Sequence, residues 1–185
     1  MILQDRIAIV TASGSGIGRA GAAKMASEGA TVILADLSPE RSEEAASQIR
    51  DAGDRAEAHP TDVTDAEAVV ALVEETLSRH GRIDILHSHA GVQVGGGIED
   101  VDAAGLDRSY EVNVRPHFQL SKAVVPAMKG QGGGVILLTS SNAGLMPDYG
   151  MLAYLCLANC YYVYKSPLFH RLVNPGGNGT IGVHA

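Results

Sequence analysis

The chain has 185 residues, of which 45% are hydrophobic, and its formal net charge at pH 7 is −7. This length and composition are typical of one globular domain with a sizeable core, so we expect a single domain over residues 1–185. The acidic balance argues against nucleic acid as a partner, because a phosphate backbone attracts a basic surface. Polar residues interrupt the N-terminal stretch, and the longest apolar run, at 151–163, is too short to span a bilayer. We therefore expect a cytoplasmic protein that binds neither nucleic acid nor a membrane.

Short apolar runs alternate with helical patterns in the first half of the chain. Ser38 is a typical N-cap with Pro39 at the first helical position, and Gly29 and Gly53 stand where helices end. The predicted elements are strands at 6–10, 31–35 and 55–59 and helices at about 16–28 and 39–52.

The second half continues this alternation. Thr64-Asp65-Ala66-Glu67 is a capping box that opens a helix, and Gly81 ends that helix. The further predicted elements are strands at 83–89 and 135–139 and helices at about 64–80, 103–110 and 112–129. Five apolar strands alternating with helices predict an α/β fold, a Rossmann-like doubly wound parallel sheet with helices on both faces.

Ligands of such sheets bind at the carboxyl ends of the strands, and a glycine-rich loop follows the first strand. Gly16, Gly18 and Gly21 spell G-x-G-x-x-G there. Glycines let the backbone approach a pyrophosphate, and a helix N-terminus supplies free N–H groups. A tight turn that packs a helix on a strand is the alternative interpretation. Asp36 lies 20 residues after Gly16, where a carboxylate accepts hydrogen bonds from ribose hydroxyls.

Asp36 also bears on which dinucleotide is bound. A carboxylate repels a 2′-phosphate, and no basic residue follows at Leu37 or Ser38, so we predict NAD rather than NADP. A solvated carboxylate at a strand end is the alternative for this residue.

Several motifs in order resemble the short-chain dehydrogenase/reductase family, over about residues 3–154. The loop from Thr11 to Gly18 resembles the family's T-G-x-x-x-G-x-G. Tyr154 follows Ser141 by 13 residues, which is the family's spacing. The other matching segments are Asp62-Val63, Ser88-His89-Ala90-Gly91, Val112-Asn113-Val114 and Ser140-Ser141-Asn142-Ala143-Gly144.

The resemblance implies hydride transfer between NAD(H) and a secondary alcohol or ketone. It implies that Tyr154 is the general acid/base, that Ser141 polarises the substrate carbonyl and that Asn113 supports a proton relay. It also implies a homo-oligomer, commonly a tetramer, and a substrate pocket lined by 92–99 and 145–152. The implied cofactor-binding residues are Ser13, Ser15, Gly16, Ile17, Gly18, Asp36, Leu37, Asp62, Val63, His89, Ala90 and Gly91.

The chain departs from the family pattern after Tyr154. The family has a lysine four residues after the tyrosine, and this chain has Ala158. Lys165 follows Tyr161 at the right spacing, but that pair lies too far from Ser141 on a helix. Residues 155–185 are atypical, although 180–185 resemble the start of the family's sixth strand, and we expect the C-terminal part to be truncated. The alternatives are a non-catalytic dinucleotide-binding protein, a defective paralogue and a fragment that does not fold.

Smaller departures concern the loop and the histidines. Ala12 replaces the first glycine of the family loop, which is tolerated at negative φ. His87 and His89 share a face of their strand, and we interpret His89 as filling the hydrogen-bonding position of an asparagine rather than as a metal ligand. Cys156 and Cys160 are interpreted as free thiols, and no metal site is predicted.

Overall fold

The computed structural model describes residues 1–141, 143 and 150–154, together with the backbone of 182–184. Its strands are β1 (Ile7–Thr11), β2 (Thr31–Asp36), β3 (Arg55–Pro60), β4 (Ile85–Ser88), β5 (Val135–Thr139) and β6 (Gly182–His184). Its helices are α1 (Gly16–Ser27), α2 (Pro39–Asp51), α3 (Ala66–His80), α4 (Ala103–Asn113) and α5 (Arg115–Gly130).

The six strands form one parallel sheet in the order β3-β2-β1-β4-β5-β6. The chain therefore starts in the middle of the sheet, runs to one edge and then continues on the other side of β1. This reversal separates the carboxyl ends of β1 and β4 and leaves a crevice for a ligand between the loops that follow them. The predicted Rossmann-like fold is confirmed, and the sixth strand is present at Gly182–His184, beside β5.

Alternate residues of β1 enter two different hydrophobic cores. Ile7 and Ile9 pack with large aliphatic side chains of α3 and α5, such as Leu72 and Leu120. Ala8 and Val10 lie in the second core, which is built largely from the alanines of α1 and α2. All four β1 residues are nearly inaccessible to solvent, which explains a continuous apolar run where a half-exposed strand would alternate.

The capping box predicted at the start of α3 is wrong in its N-cap residue. Asp65 is the N-cap, and its carboxylate accepts hydrogen bonds from the backbone N–H groups of Glu67 and Ala68. The Thr64 hydroxyl instead donates to Asp62. A carboxylate at the helix N-terminus also interacts favourably with the helix dipole, so Asp65 competes well with the neighbouring threonine.

A break between α4 and α5 places Asn113 at the last position of α4. Val114 leaves helical geometry, with φ −121° and ψ −55°, and Pro116 lies in the first turn of α5. The two predicted helical segments are therefore present, but Asn113 belongs to the first of them. Among the helices described, none is both long and apolar enough to cross a membrane.

Candidate active site

The loop between β1 and α1 is anchored to both neighbouring strands. The Ser13 backbone N–H and hydroxyl both bond the Ala35 carbonyl of β2. On the other side, the Thr11 hydroxyl accepts the backbone N–H groups of His89 and Ala90, at 2.9 and 3.1 Å. Ser13 is fully buried, so its side chain braces the loop. These contacts hold the start of α1 over the crevice.

Close packing within this loop explains one of its glycines. A Cβ on Gly18 would overlap the carbonyl oxygen of Ala12 and lie 2.9 Å from its carbonyl carbon. Ala12 does not meet the condition of a negative φ under which alanine is tolerated there, because its φ is +51°. The left-handed conformation turns the Ala12 carbonyl towards α1, and only glycine fits against it at position 18.

The N-terminus of α1 is open to an anion. Ser15 is its N-cap in an extended conformation, and its side chain makes no capping hydrogen bond. The first turn contains no acidic residue, and Ser15, Gly16 and Ile17 are exposed. Backbone N–H groups at a helix start that lack a side-chain cap fit a phosphate or another anion.

Asp36 ends β2 directly beside the glycine loop. Its two carboxylate oxygens accept the backbone N–H groups of Gly14 and Ser38, at 2.9 and 3.0 Å. Each oxygen keeps a further lone pair, so the carboxylate can still accept two hydroxyl donors. The neighbouring Leu37 is 69% exposed and presents an apolar surface at the same edge of the sheet.

Asp62 follows β3 and is oriented by the residue two positions later. The hydroxyl and the backbone N–H of Thr64 both donate to Asp62 Oδ1, and these two hydrogen bonds hold the pKa of that carboxyl below its usual range. Val63 beside it is buried. Asp62 is therefore an ionised acceptor in a loop that follows the sheet.

Asn113 is buried and secures the segment that follows β4. Its side-chain oxygen accepts the Val92 N–H at 2.7 Å, and its amide donates to the Val92 carbonyl at 2.9 Å and to the Ser109 hydroxyl at 3.0 Å. An asparagine that bonds both backbone groups of one residue acts as an extra strand partner. The role of Asn113 in these contacts is thus to hold the wall of the crevice.

The crevice contains a cavity of about 300 Å³. It brings together Asn113, Ser141 and Tyr154, the three predicted catalytic residues, although they come from separate parts of the chain. Four of the predicted cofactor-binding residues also line it. The lining residues are Ile17, His89, Ala90, Gly91, Val92, Gln93, Asn113, Thr139, Ser140, Ser141 and Tyr154.

A short backbone bridge connects two segments beside this cavity. Gly96 pairs with Met151, with its N–H donating to the Gly150 carbonyl at 2.6 Å and its carbonyl accepting the Leu152 N–H at 3.1 Å. The bridge joins the loop after β4 to the turn that carries Tyr154. Both segments were predicted to line the substrate pocket, and most of the second one, along with Ala158 and Lys165, lies outside the described residues.

Three histidines cluster under the cavity, and sequence reasoning missed most of their contacts. His87 Nε2 and His89 Nδ1 lie 3.1 and 2.9 Å from the Thr139 hydroxyl. His117 of α5 is 2% exposed, with Nδ1 2.6 Å from the Ser88 hydroxyl, and burial lowers its pKa to about 4. Within the described residues, no three His, Cys, Asp or Glu side chains are arranged to hold a metal ion.

Curated relatives match most of this chain. It is 40% identical to an uncharacterized oxidoreductase of Thermotoga maritima over 79% of this chain and 57% of the relative. It is 36% identical to the 7alpha-hydroxysteroid dehydrogenase of Escherichia coli over 82% of this chain and 59% of the relative. The chain thus spans somewhat more than half the length of these proteins.

Solved structures match almost the whole of this chain. A 7 alpha-hydroxysteroid dehydrogenase complexed with NADH and 7-oxo glycochenodeoxycholic acid matches 98% of this chain, covering 70% of that protein, with a TM-score of 0.90 and 30% identity. A short chain dehydrogenase/reductase from Burkholderia phymatum in complex with NAD matches 99% of this chain, covering 66% of that protein, with a TM-score of 0.92 and 30% identity. The sequence model of the family described as short chain dehydrogenase matches residues 6–156. The chain belongs to the short-chain dehydrogenase family.

Proposed function

We propose that this chain is an NAD(H)-dependent oxidoreductase that interconverts a secondary alcohol and a ketone. The observation that carries the proposal is the cavity of about 300 Å³ that Ser141, Tyr154 and Asn113 line together, next to the start of α1. A serine and a tyrosine hydroxyl on one cavity can hydrogen-bond the same substrate oxygen. The relatives named above support an alcohol and ketone chemistry of this kind.

The residues at the strand ends fit a dinucleotide. The uncapped N-terminus of α1 would hold the pyrophosphate, and the two remaining lone pairs of Asp36 would accept the ribose hydroxyls. The Asp36 charge favours NAD over NADP, because it would repel a 2′-phosphate. The predicted adenine contacts of Asp62 and Val63, and those of Ser13, Ser15 and Leu37, belong to this proposal. The bound nicotinamide would supply or accept the hydride.

Side chains of the protein itself would transfer the proton and polarise the substrate. Tyr154 would exchange a proton with the substrate oxygen, while Ser141 would donate a hydrogen bond that polarises the carbonyl. Asn113 would keep the Val92 wall in place through its paired backbone contacts. Since one relative is named a 7alpha-hydroxysteroid dehydrogenase, a 7-oxo steroid is the first ketone to test.

Replacement of the tyrosine tests the proposal. We expect Tyr154→Phe to lower kcat for ketone reduction by at least about 100-fold, because general acid catalysis contributes that much, with little change in NADH affinity. Tyr110→Phe is the matched control, since Tyr110 is on α4 and does not line the cavity. NADH oxidation is followed by absorbance and binding by fluorescence titration. Full activity of Tyr154→Phe would overturn the proposal.

A non-catalytic dinucleotide-binding protein is the second candidate, and Ala158 favours it. The family resemblance places a lysine four residues after the tyrosine, where this chain has alanine. This candidate predicts NADH binding without turnover, and restoration of turnover by Ala158→Lys would identify the missing amine as the cause. Turnover by the unaltered chain would exclude it.

We also propose that the protein is a homo-oligomer in the cytoplasm. Leu106 and Tyr110 of α4 and Phe118 of α5 expose apolar surface, 43%, 43% and 53% respectively. Exposed apolar side chains on adjoining helices are a common feature of subunit interfaces. Light scattering coupled to size exclusion would measure the assembly, and a monomer at micromolar concentration would contradict this part.

A further inference from the structure

A short segment of the loop after β4 is bonded to a different part of the chain at each end. At its start, both backbone groups of Val92 bond the Asn113 side chain, at 2.7 and 2.9 Å. Four residues later, both backbone groups of Gly96 bond the turn that leads to Tyr154, at 2.6 and 3.1 Å. We call residues 92–96 the strap. Four peptide units extend over at most about 14 Å, so the strap limits how far this turn can move from Asn113.

Glycine is required at the far end of the strap. Gly96 has φ +125°, a conformation that residues with a Cβ rarely adopt. A Cβ there would also lie 2.7 Å from Cγ2 of Val101, closer than real Cβ atoms approach another heavy atom. Gly150, whose carbonyl accepts the Gly96 N–H, has φ +86°. The bridge around Met151 therefore depends on one glycine in each of the two segments that it joins.

The bridge lies close to Tyr154 along the chain. The Leu152 N–H, which donates to the Gly96 carbonyl, belongs to the first residue of a helical turn, and Tyr154 is two residues further along this turn. Ala153 between them is 1% exposed, so the turn is packed against the protein. Two residues of a helix rise by about 3 Å along its axis. A displacement of Leu152 therefore carries over to the tyrosine.

We propose that Gly96 is a positioning residue for Tyr154, an inference that rests on the proposed function. Through the bridge, the strap holds the tyrosine at the cavity that Ser141 and Asn113 also line, although Gly96 is not among the lining residues. General acid catalysis requires the tyrosine oxygen within hydrogen-bonding distance of the substrate oxygen. A misplacement of about 1 Å can lower the rate by about 100-fold. The strap therefore contributes to kcat through the tyrosine.

A loop that only forms a wall of the substrate pocket makes a different prediction. Val92 and Gln93 of the strap line the cavity, so a looser wall would weaken ketone binding and raise KM. It would leave kcat at saturating ketone unchanged, since the bound ketone would still meet a correctly placed tyrosine. A positioning role lowers kcat instead. The separate effects on KM and kcat therefore distinguish the two roles.

The first experiment measures ketone reduction by Gly96→Ala. We expect kcat to fall by about 10- to 100-fold, with NADH affinity within about twofold and ketone KM within about threefold. The solvent deuterium isotope effect on kcat should increase, because proton transfer from a misplaced tyrosine becomes rate-limiting. Gly53→Ala is the matched control for backbone strain. Gly53 has φ +90° in the turn between α2 and β3, away from the cavity, and its kcat should stay within about twofold.

A second variant covers the case in which Gly96→Ala does not fold. A Cβ on Gly150 would meet nothing within 4 Å in the part of the chain that the structure describes, so Gly150→Ala strains the bridge without a clash. We expect its kcat to fall as well. Because both substitutions break one bridge, the double variant should lose no more than the worse single variant. Wild-type kcat in the folded variants, a change confined to KM, or multiplicative losses would overturn the proposal.

A further experiment needs no turnover and separates this proposal from the proposed function. 3-Fluorotyrosine is placed at position 154 of the full chain, and its ¹⁹F signal is recorded without a dinucleotide. We expect Gly96→Ala and Gly150→Ala to shift this signal by more than its line width, and Gly53→Ala to leave it in place. An unchanged signal in Gly96→Ala would overturn the proposal. The proposed function fails separately, if the wild-type chain neither binds NADH nor responds to Tyr154→Phe.

Discussion

The two sides of the crevice are held together by different kinds of contact. At the ends of β1 and β2, which we call the backbone-built end, Asp36 accepts the N–H groups of Gly14 and Ser38, and Ser13 bonds a backbone carbonyl. At the ends of β4 and β5, which we call the side-chain-built end, the Thr139 hydroxyl contacts two imidazoles.

This difference has a functional meaning. Backbone N–H groups carry no titratable proton near neutral pH, so the start of α1 can offer a constant set of donors to a phosphate. Imidazoles and hydroxyls gain, lose and pass protons, so the side-chain-built end can respond to pH and take part in proton transfer. The comparison predicts that substitutions at the first end change binding, and that substitutions at the second change pH dependence.

The largest expected effect is at Gly18 in the backbone-built end. We expect Gly18→Ala to destabilise the protein by about 3 kcal/mol and to abolish NADH binding, because the new methyl group would overlap the Ala12 carbonyl. Gly21→Ala is the matched control: its Cβ would lie 3.7 Å from His87, an ordinary contact, and alanine favours the helix. Urea denaturation and fluorescence titration measure the two effects. Equal stability and equal NADH affinity of the two variants would contradict the close approach of Gly18 to the Ala12 carbonyl.

The next effect is at His117 in the side-chain-built end. Burial lowers its pKa from 6.5 to about 4, so the unfolded chain binds a proton in this range that the folded protein does not. The contribution of neutral His117 to stability is therefore fully present above pH 6.5 and is lost as the pH falls towards 4. The lowered pKa accounts for a decrease of about 2 kcal/mol in the free energy of unfolding between pH 7 and pH 5. The full decrease, reached below pH 4, is about 3 kcal/mol.

His117→Gln tests this pH dependence. Glutamine keeps a hydrogen-bonding group near the Ser88 hydroxyl but does not titrate. Urea denaturation at pH 7 and pH 5 should therefore give a smaller difference for His117→Gln than for the wild type. The same pH difference in both proteins would show that His117 is not the responsible group.

A smaller effect is expected at Asp36. Asp36→Asn removes the charge and one of the two acceptor oxygens, so we expect NADH affinity to fall by about 10- to 100-fold. NADPH affinity should fall less, because the repulsion of a 2′-phosphate is also removed. Asp65→Asn removes the same charge from the N-cap of α3, where asparagine caps equally well, and should leave NADH affinity unchanged. Equal losses for both dinucleotides would contradict the role of the carboxylate.

The backbone-built end could largely be predicted from the sequence. Its determinants are local or lie at strand ends, so the glycine spacing and the position of Asp36 after β2 were sufficient to bring them together. The alternation of strands and helices predicted a doubly wound parallel sheet, but it does not determine the order of the strands, because such sheets occur in more than one order. The resemblance to the family likewise located Ser141 and Tyr154, and both line the cavity.

The side-chain-built end could not be predicted in the same way. His87 and Thr139 are 52 positions apart, and no local pattern indicates that one hydroxyl serves two imidazoles. No pattern in the sequence indicates that His117 is buried with its ring against the Ser88 hydroxyl. The spacing of His87 and His89 on one face of a strand was the available signal. It indicated that the two histidines lie together, but not that both contact Thr139. The left-handed conformation of Ala12 was also unexpected, because alanine rarely adopts it.

The smallest expected effect is at Ala12. It tests whether the conformation that turns the Ala12 carbonyl towards Gly18 is strained. Ala12 has φ +51°, which alanine adopts only at a cost. Ala12→Gly should therefore stabilise the protein by about 0.5–1 kcal/mol. Ala20→Gly, on the exposed side of α1, should instead destabilise it by about 1 kcal/mol. Since the carbonyl that meets Gly18 belongs to the backbone, NADH affinity should stay within about twofold in Ala12→Gly. Destabilisation of both variants would contradict the left-handed turn.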